Sequence, residues 1–355
     1  MKTDRSATLV LLMAGCLLLA SSCSLFQTTE AVIDVSVQGG VIPLTVSYDG
    51  TGSVGVGGVS TYHWTFGTGD ESYSPSGTYT YDRAGSFDLT LTIHGENGKV
   101  ATASIQIEVS PAVWVCDENL QRVYKLDMSG SVLEAFDVPV ADPRGVTVAK
   151  VGGTQWLFIA CYGGGNQRIV RMDPTTGVVS ADYDAPGGDP LYISYGAQEP
   201  DRIWHVDGLS RRIYEINPPD CAVRNGFGTN YFRSTSQVGD EVFLQTPMGI
   251  DWTEEQNSSG FVWYLEGETH WLYQFDVDAP INIFEGIQLV AVGEPVELAA
   301  SLFPIAGMDI YDGRLWVVDR NHHEIVQVDL TTGLPTGETI TGFPGAAVSG
   351  LEIQH

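Results

Sequence analysis

From about residue 31 onward the chain alternates apolar and polar positions with a period of two. Ile33, Val35 and Val37 share one face before Gly39-Gly40, and Leu44, Val46 and Tyr48 share the next before Asp49-Gly50. Phe87, Leu89, Leu91 and Ile93 alternate with Asp88, Thr90 and Thr92. Glu96-Asn97-Gly98 follows, and its Asn-Gly pair supplies the positive φ angles of a hairpin turn. Ala101, Ala103, Ile105, Ile107 and Val109 make the last strand of the run. Short strands punctuated by such turns predict a β-sandwich over residues 31–110.

Beyond residue 110 the alternation gives way to a repeated unit of two strands and a tight turn. The copies begin Val113-Trp114-Val115-Cys116-Asp117, Leu157-Phe158-Ile159-Ala160-Cys161, Ile203-Trp204-His205-Val206-Asp207, Val262-Trp263-Tyr264-Leu265-Glu266 and Leu315-Trp316-Val317-Val318-Asp319. Each leads to a second strand, ending at Asp127, Asp173, Asn217, Asp276 and Asp329; the second copy is longer, with Gly163-Gly164-Gly165 in its turn. The first strand is apolar on both faces, as a sheet packed between two others requires. The aromatic slot therefore predicts packing between sheets. The acid slot (Asp117, Asp207, Glu266, Asp319) predicts a carboxylate that accepts backbone N–H bonds and fastens the turn.

A fourth strand closes each repeat: Gly145 to Val148, Leu191 to Ser194, Gly249 to Trp252, Gly307 to Ile310 and Gly350 to Ile353. Four strands per repeat, repeated radially, predict a β-propeller over residues 111–355. It has five recognisable blades, and the apolar stretch from Ile287 to Ala300 leaves a degenerate sixth open. The region starts at a second strand and ends on an innermost one, so the last strand is expected to complete the first blade. The fold class is thus all-β, a sandwich followed by a propeller.

Two resemblances sharpen this reading. Tyr62-His63-Trp64-Thr65-Phe66-Gly67-Thr68-Gly69, then Gly77 to Tyr81 and Ala84 to Thr92, resemble the PKD domain, an Ig-like module with a W-D-F-G-D-G signature. Thr65 and Thr68 stand at its two Asp positions; Gly67 and Gly69 should still form the turn, and Trp64 and Phe66 should pack the core. The resemblance implies a spacer or contact surface. The propeller repeats resemble NHL-type and lactonase or streptogramin-lyase propellers, a resemblance of fold, because one scaffold hosts many chemistries.

The N-terminus reads as an address. Lys2 and Arg5 precede an apolar run from Ala7 to Ala20, too short for a comfortable span, followed by small residues. Leu19-Ala20-Ser21-Ser22-Cys23 resembles a bacterial lipobox; Met13-Ala14-Gly15-Cys16 is the alternative. Residues 1–23 are therefore read as a lipoprotein signal peptide and 24–30 as a tether. The lipid on Cys23 would be the membrane partner. Ser24 in the following position implies the outer membrane by the sorting rule of lipoproteins.

The formal charge of -27 repels nucleic acid, which is excluded as a partner. Cys116, Cys161 and Cys221 lack metal-ligand spacing, and an odd number leaves at least one thiol free; Cys116 and Cys161, inside apolar strands, read as small buried apolar residues.

P-loop, GxSxG, HExxH and EF-hand patterns are absent from the sequence, and no cofactor or metal is expected. Asp251, Asp309 and Glu352 recur two residues after the innermost-strand glycine, as a polar channel lining or as repeat-encoded structural acids. The turns between the aligned strands should share one face with the entries to the innermost strands, where propeller ligands bind. The candidate ligand-binding residues there are Arg144, Asp189, Arg211, Arg212, His270, Trp271, Asn321, His322 and His323, with no catalytic residue assigned. The expected function is a cell-envelope lipoprotein with a non-catalytic binding or scaffold role toward an envelope protein or glycan. The alternative is a metal-dependent enzyme of lactonase or lyase type.

Overall fold

The computed structural model describes residues 28–196, 201–228, 232–234, 241–242, 246–253, 260–283, 286–345 and 347–354. The expected lipidation sites Cys23 and Cys16 lie outside these. The chain divides into two compact units, Met1–Ser110 and Pro111–His355.

The first unit is a two-sheet sandwich. Asp34–Val35, Leu44–Asp49 and Ser76–Tyr81 make one sheet, in that order. Gly39–Val41, Val100–Ser110, Gly85–Gly95, Val59–Thr65 and Glu71–Ser72 make the other. The inward members of the alternating runs meet between them: Trp64, Leu91, Ile93 and Ile107 are fully buried. The Trp64 indole donates to the Ser74 carbonyl at 3.0 Å, so the large ring is buried without a lost hydrogen bond. Phe66 stacks on Tyr79 with centroids 4.0 Å apart. The signature turn forms as expected, with Gly67 at φ 76° and Gly69 at φ 100°. Thr68 Oγ1 lies 2.7 Å from Tyr79 Oη, which donates to Asp70 at 2.6 Å. Asp70 thus supplies a carboxylate to this turn from outside the signature's two acid positions.

Among the described residues the second unit contains four sheets of four strands and one larger sheet. In the first, Val348–Gln354 is innermost, followed outward by Ala112–Asp117, Arg122–Leu126 and Val132–Asp137. Pro143–Val151, Pro190–Gly196, Pro247–Thr253 and Ile305–Tyr311 are innermost in the second to fifth. Each innermost strand neighbours the next, and that of the fifth sheet neighbours that of the first, so the order is cyclic. The segment from Ile287 to Ala300 adds Gly286–Ala291 and Val296–Glu297 to the fourth sheet; among the described residues it forms no separate sheet.

The core is distributed the same way. Trp114 and Cys116 of the first sheet pack on Val146 and Leu157 of the second. Phe158 and Ala160 then pack on Ile193 and Ile203, Trp204 on Trp252 and Tyr264, Leu265 on Met308 and Leu315, and Trp316 on Val113 and Val115. One apolar cluster lies between each pair of neighbouring sheets, which is why the strand that carries the aromatic slot is apolar on both faces. This is a β-propeller-like arrangement. The aromatic slot packs between sheets in four copies, where Trp114, Phe158 and Trp204 have no exposed surface and Trp316 is buried, whereas Trp263 in the fourth copy is only half-buried against its cluster.

The last strand returns to the first repeat. Val348–Gln354 pairs antiparallel with Ala112–Asp117 from Val348↔Asp117 to Gln354↔Ala112. Across this pairing Trp114 Nε1 donates to Gln354 Oε1 at 3.1 Å, and Ser349 Oγ ties the closing strand to the second sheet by donating to the Pro143 carbonyl at 3.0 Å. Closure removes an unpaired sheet edge.

Candidate functional site

The acid slots build one face of this unit. Asp207 Oδ1 accepts from the Ser210 amide at 2.6 Å, and its Oδ2 accepts from the Asp189 amide at 2.5 Å. Glu266 accepts from the Thr269 amide at 2.7 Å and the Thr246 amide at 2.9 Å. Asp117 takes the amides of Asn119 and Leu120, and Asp319 those of Asn321 and His322. In the third and fourth sheets, therefore, one carboxylate ties the turn of its own repeat to the loop entering the innermost strand. The second repeat has Cys161 in the slot and uses backbone instead. Tyr162 N donates to Asp142 O at 3.0 Å, and Gly163 N to Ala141 O at 2.9 Å. Its longer glycine turn makes that docking possible.

The turns end on a left-handed residue: Gln121 (φ 52°), Arg211 (φ 52°), His270 (φ 64°) and His323 (φ 55°). Three of the candidate residues therefore occupy a position whose backbone conformation the repeat dictates. His270 stacks on Phe303 at 3.7 Å between centroids, and Asn321 Nδ2 donates to the Phe303 carbonyl at 2.9 Å. His270 and Asn321 thus meet at one residue. His322 Nδ1 lies 2.8 Å from Asp319 Oδ2, and that bond raises its imidazole above the ordinary value. Asp319, His322 and Glu324 are the one set of three acid, histidine or cysteine side chains, among the described residues, close enough to share an ion. Both oxygens of Asp319 are engaged in the turn. Arg212 begins the strand Arg212–Ile216 and is exposed; Trp271 begins Trp271–Ile283 and is about a third exposed (37%).

Arg144 and Asp189 come together at the entries to the second and third innermost strands. Arg144 Nη1 donates to Asp189 Oδ1 at 2.6 Å, while its Nε and Nη2 grip Asp142 at 3.1 and 2.8 Å. The guanidinium also lies 4.7 Å from the centre of the Tyr162 ring, a cation–π contact. Nearby, Arg320 from the turn of the fifth repeat pairs with Glu118 from the turn of the first. Burial pushes the Glu118 carboxyl up, opposed by Arg320 and Arg144. Tyr192, buried and within the field of Arg320, Glu118, Arg144 and Asp189, has its phenol pushed up to about 12, chiefly by burial. Two guanidiniums, three carboxylates and a phenol from four repeats thus converge where the innermost strands begin.

Glu118, Asp142, Tyr192 and Arg320 were not among the residues singled out in the sequence. Glu118 and Arg320 directly follow the acid slot, where other repeats carry Gly208, Gly267 and Tyr162. A charged residue at this position in two repeats, where the other three are uncharged, was the available signal. The three cysteines Cys116, Cys161 and Cys221 are buried and unpaired, and burial pushes each thiol up.

Comparison with known proteins follows the division into units. Residues 36–109 match the family model of the PKD domain, and the sandwich is a PKD domain. Collagenase ColA of Clostridium perfringens is 31% identical over 70 residues, 19% of this chain; the match spans only 6% of the collagenase. The PKD1 domain of the Vibrio cholerae metalloprotease PrtV is 31% identical over 23% of this chain and 98% of that one, at a TM-score of 0.21. Virginiamycin B lyase from Staphylococcus aureus aligns over 91% of this chain and 96% of its own, at 12% identity and a TM-score of 0.38.

Proposed function

We propose that the protein is an exported lipoprotein of the bacterial cell envelope, anchored through Cys23 (alternatively Cys16) in the outer membrane. Its five-bladed propeller would bind a protein or glycan without catalysis. A PKD domain accords with export, since the PKD relatives include a domain of a Vibrio cholerae metalloprotease. The observation that carries the binding reading is the cluster of Arg144, Arg320, Glu118, Asp142, Asp189 and Tyr192, in which side chains of four repeats meet. Loops that converge on a rigid ring are the usual place for a ligand. Mixed charges, each held by a partner, suit recognition of a polar ligand by exchange of ion pairs more than covalent chemistry.

The test is a glycan array and a panel of purified envelope proteins probed with residues 24–355, native and carrying Arg144→Ala. Binding by the native protein that weakens at least about tenfold in a folded Arg144→Ala protein supports the proposal; tenfold corresponds to about 1.4 kcal/mol. Binding that is unchanged in the variant moves the site elsewhere.

A further inference from the structure

The innermost strand of each repeat carries a polar residue registered opposite the aromatic slot. Glu352 faces Trp114, Thr147 faces Phe158, Ser194 faces Trp204, Asp251 faces Trp263 and Asp309 faces Trp316. The innermost strand is a sheet edge, so half of its amides have no ladder partner. The acids supply one from the neighbouring strand. Asp251 Oδ2 accepts from the Ile310 amide at 2.7 Å. The amides of Ile353 and Val148 do the same for Asp309 and Glu352. Each acid thus reaches the residue that follows the next polar position round the ring. Ser194 donates to Asp251 at 2.8 Å and Thr147 to Glu352 at 2.9 Å.

Asp309 is the exception within this pattern. It is 5% exposed, lies on the strand between those of Asp251 and Glu352, and its Oδ2 has no partner. None of the five ring positions carries a cationic side chain. Lys125 is separated from Glu352 by the Trp114 ring, whose centre lies 5.7 Å from its ammonium. In the same position behind the ring stand Arg171 at Phe158, Glu215 at Trp204, and Gln274 and Gln327 at Trp263 and Trp316. His205 is buried on the second strand of the third sheet and bonds the Tyr192 carbonyl; burial lowers its imidazole to about 4, so it is neutral. On the entry side, Tyr192 faces Arg144 and Arg320, which are paired with Asp142, Asp189 and Glu118. Three buried carboxylates with no counter-charge between them would be very costly. The three acids also fail to converge as ligands of one ion.

We infer that Asp251, Asp309 and Glu352 close the ring in their neutral form and form a pH-sensitive latch on the last strand, Val348–Gln354. Burial raises all three acids, Asp251 to about 7 and Glu352 to about 8, and any charge on its two neighbours would raise Asp309 further. A folded-state acid held above its unfolded value contributes stability that is complete below the unfolded value and lost as pH rises through the folded one. The latch is therefore tight below about pH 4 and loosens progressively as pH rises from there through 7 and 8. Glu352 lies on the closing strand, and the Glu118 amide donates to Ala347 at that strand's entrance. Loosening begins where the chain is joined to itself by pairing alone.

Infrared spectroscopy of the full chain in heavy water at neutral pH should show a buried protonated carboxyl, diminished in Asp309→Asn. Hydrogen exchange, corrected for intrinsic rate, should show the opening of Val348–Gln354 rising by about tenfold or more between about pH 5 and about pH 9, since one pKa unit is tenfold. Strands Thr154–Cys161 and Arg202–Asp207 should change less. Glu352→Gln, which keeps the Thr147 acceptor, should flatten that rise. Absence of the protonated band in the native protein overturns the latch and needs no variant. A rise unchanged in Glu352→Gln also overturns it, as does a stoichiometric metal ion in the purified protein whose removal alone opens the strand.

Discussion

Trp114 Nε1 and Gln354 Oε1 are 3.1 Å apart and separated by 240 residues of chain, and this hydrogen bond joins the two ends of the propeller-like unit. Both residues are buried, and Gln354 Nε2 donates onward to Gln155 at 3.1 Å in the next sheet. Gln354→Ala strands the indole N–H in an apolar interior. A loss of about 1–3 kcal/mol is expected in urea unfolding. Deleting the chain from Val348 should do more, because Ala112–Asp117 becomes an open edge. Size-exclusion chromatography should then show association or aggregation.

Asp207 carries the second expectation. Its two oxygens fasten one turn to one loop, so Asp207→Ala leaves two amides without partners at a cost of about 3 kcal/mol. Gly187 lies over that carboxylate at φ 92°, and a Cβ there would come within 2.2 Å of Asp207 Cγ. Gly187→Ala should cost about 1–3 kcal/mol through strain and displacement. Thermal unfolding of the two single variants and the double variant is the check. Because both act on one contact, the double variant should lose less than the sum of the singles.

Cys116, Cys161 and Cys221 should be silent toward a charged thiol reagent in the native protein. Each is buried, and burial disfavours the reactive thiolate. All three should react in denaturant. Rapid native labelling at any of them, mapped by mass spectrometry, would contradict the packing described between the first three sheets.

At the acid end of the pH scale the outer turns dominate. Asp127, Asp173 and Asp329 are held below the usual carboxylate value, Asp127 first by the Ser129 hydroxyl and the other two by the amides that follow them. Their contribution is present above the unfolded value and is lost as pH falls through the folded one, opposite in sign to the latch. Stability should therefore decline on both sides of a maximum in the mildly acidic range. Asp329→Asn should blunt the acid limb and leave the alkaline limb unchanged, as urea titrations across pH would show.

Much of this was legible in the chain before folding. Period-two alternation names the strands, and Trp114 announces its burial by lying between Val113 and Val115. The acid slot revealed its role because a carboxylate at a strand end has nearby amides to accept. These are local consequences of backbone geometry and hydrophobicity, and a linear sequence encodes them directly. The pairing of Glu118 with Arg320, of Arg144 with Asp189, and the ring of Asp251, Asp309 and Glu352 were not legible as contacts. They arise only when cyclic closure brings strands of different repeats side by side, and no periodicity records which side chains then meet. The sequence by itself determined the repeat, its turns and its apolar faces. The tertiary structure alone decided which charges share a low-dielectric space, because burial and distance, not residue type, set the cost of a charge.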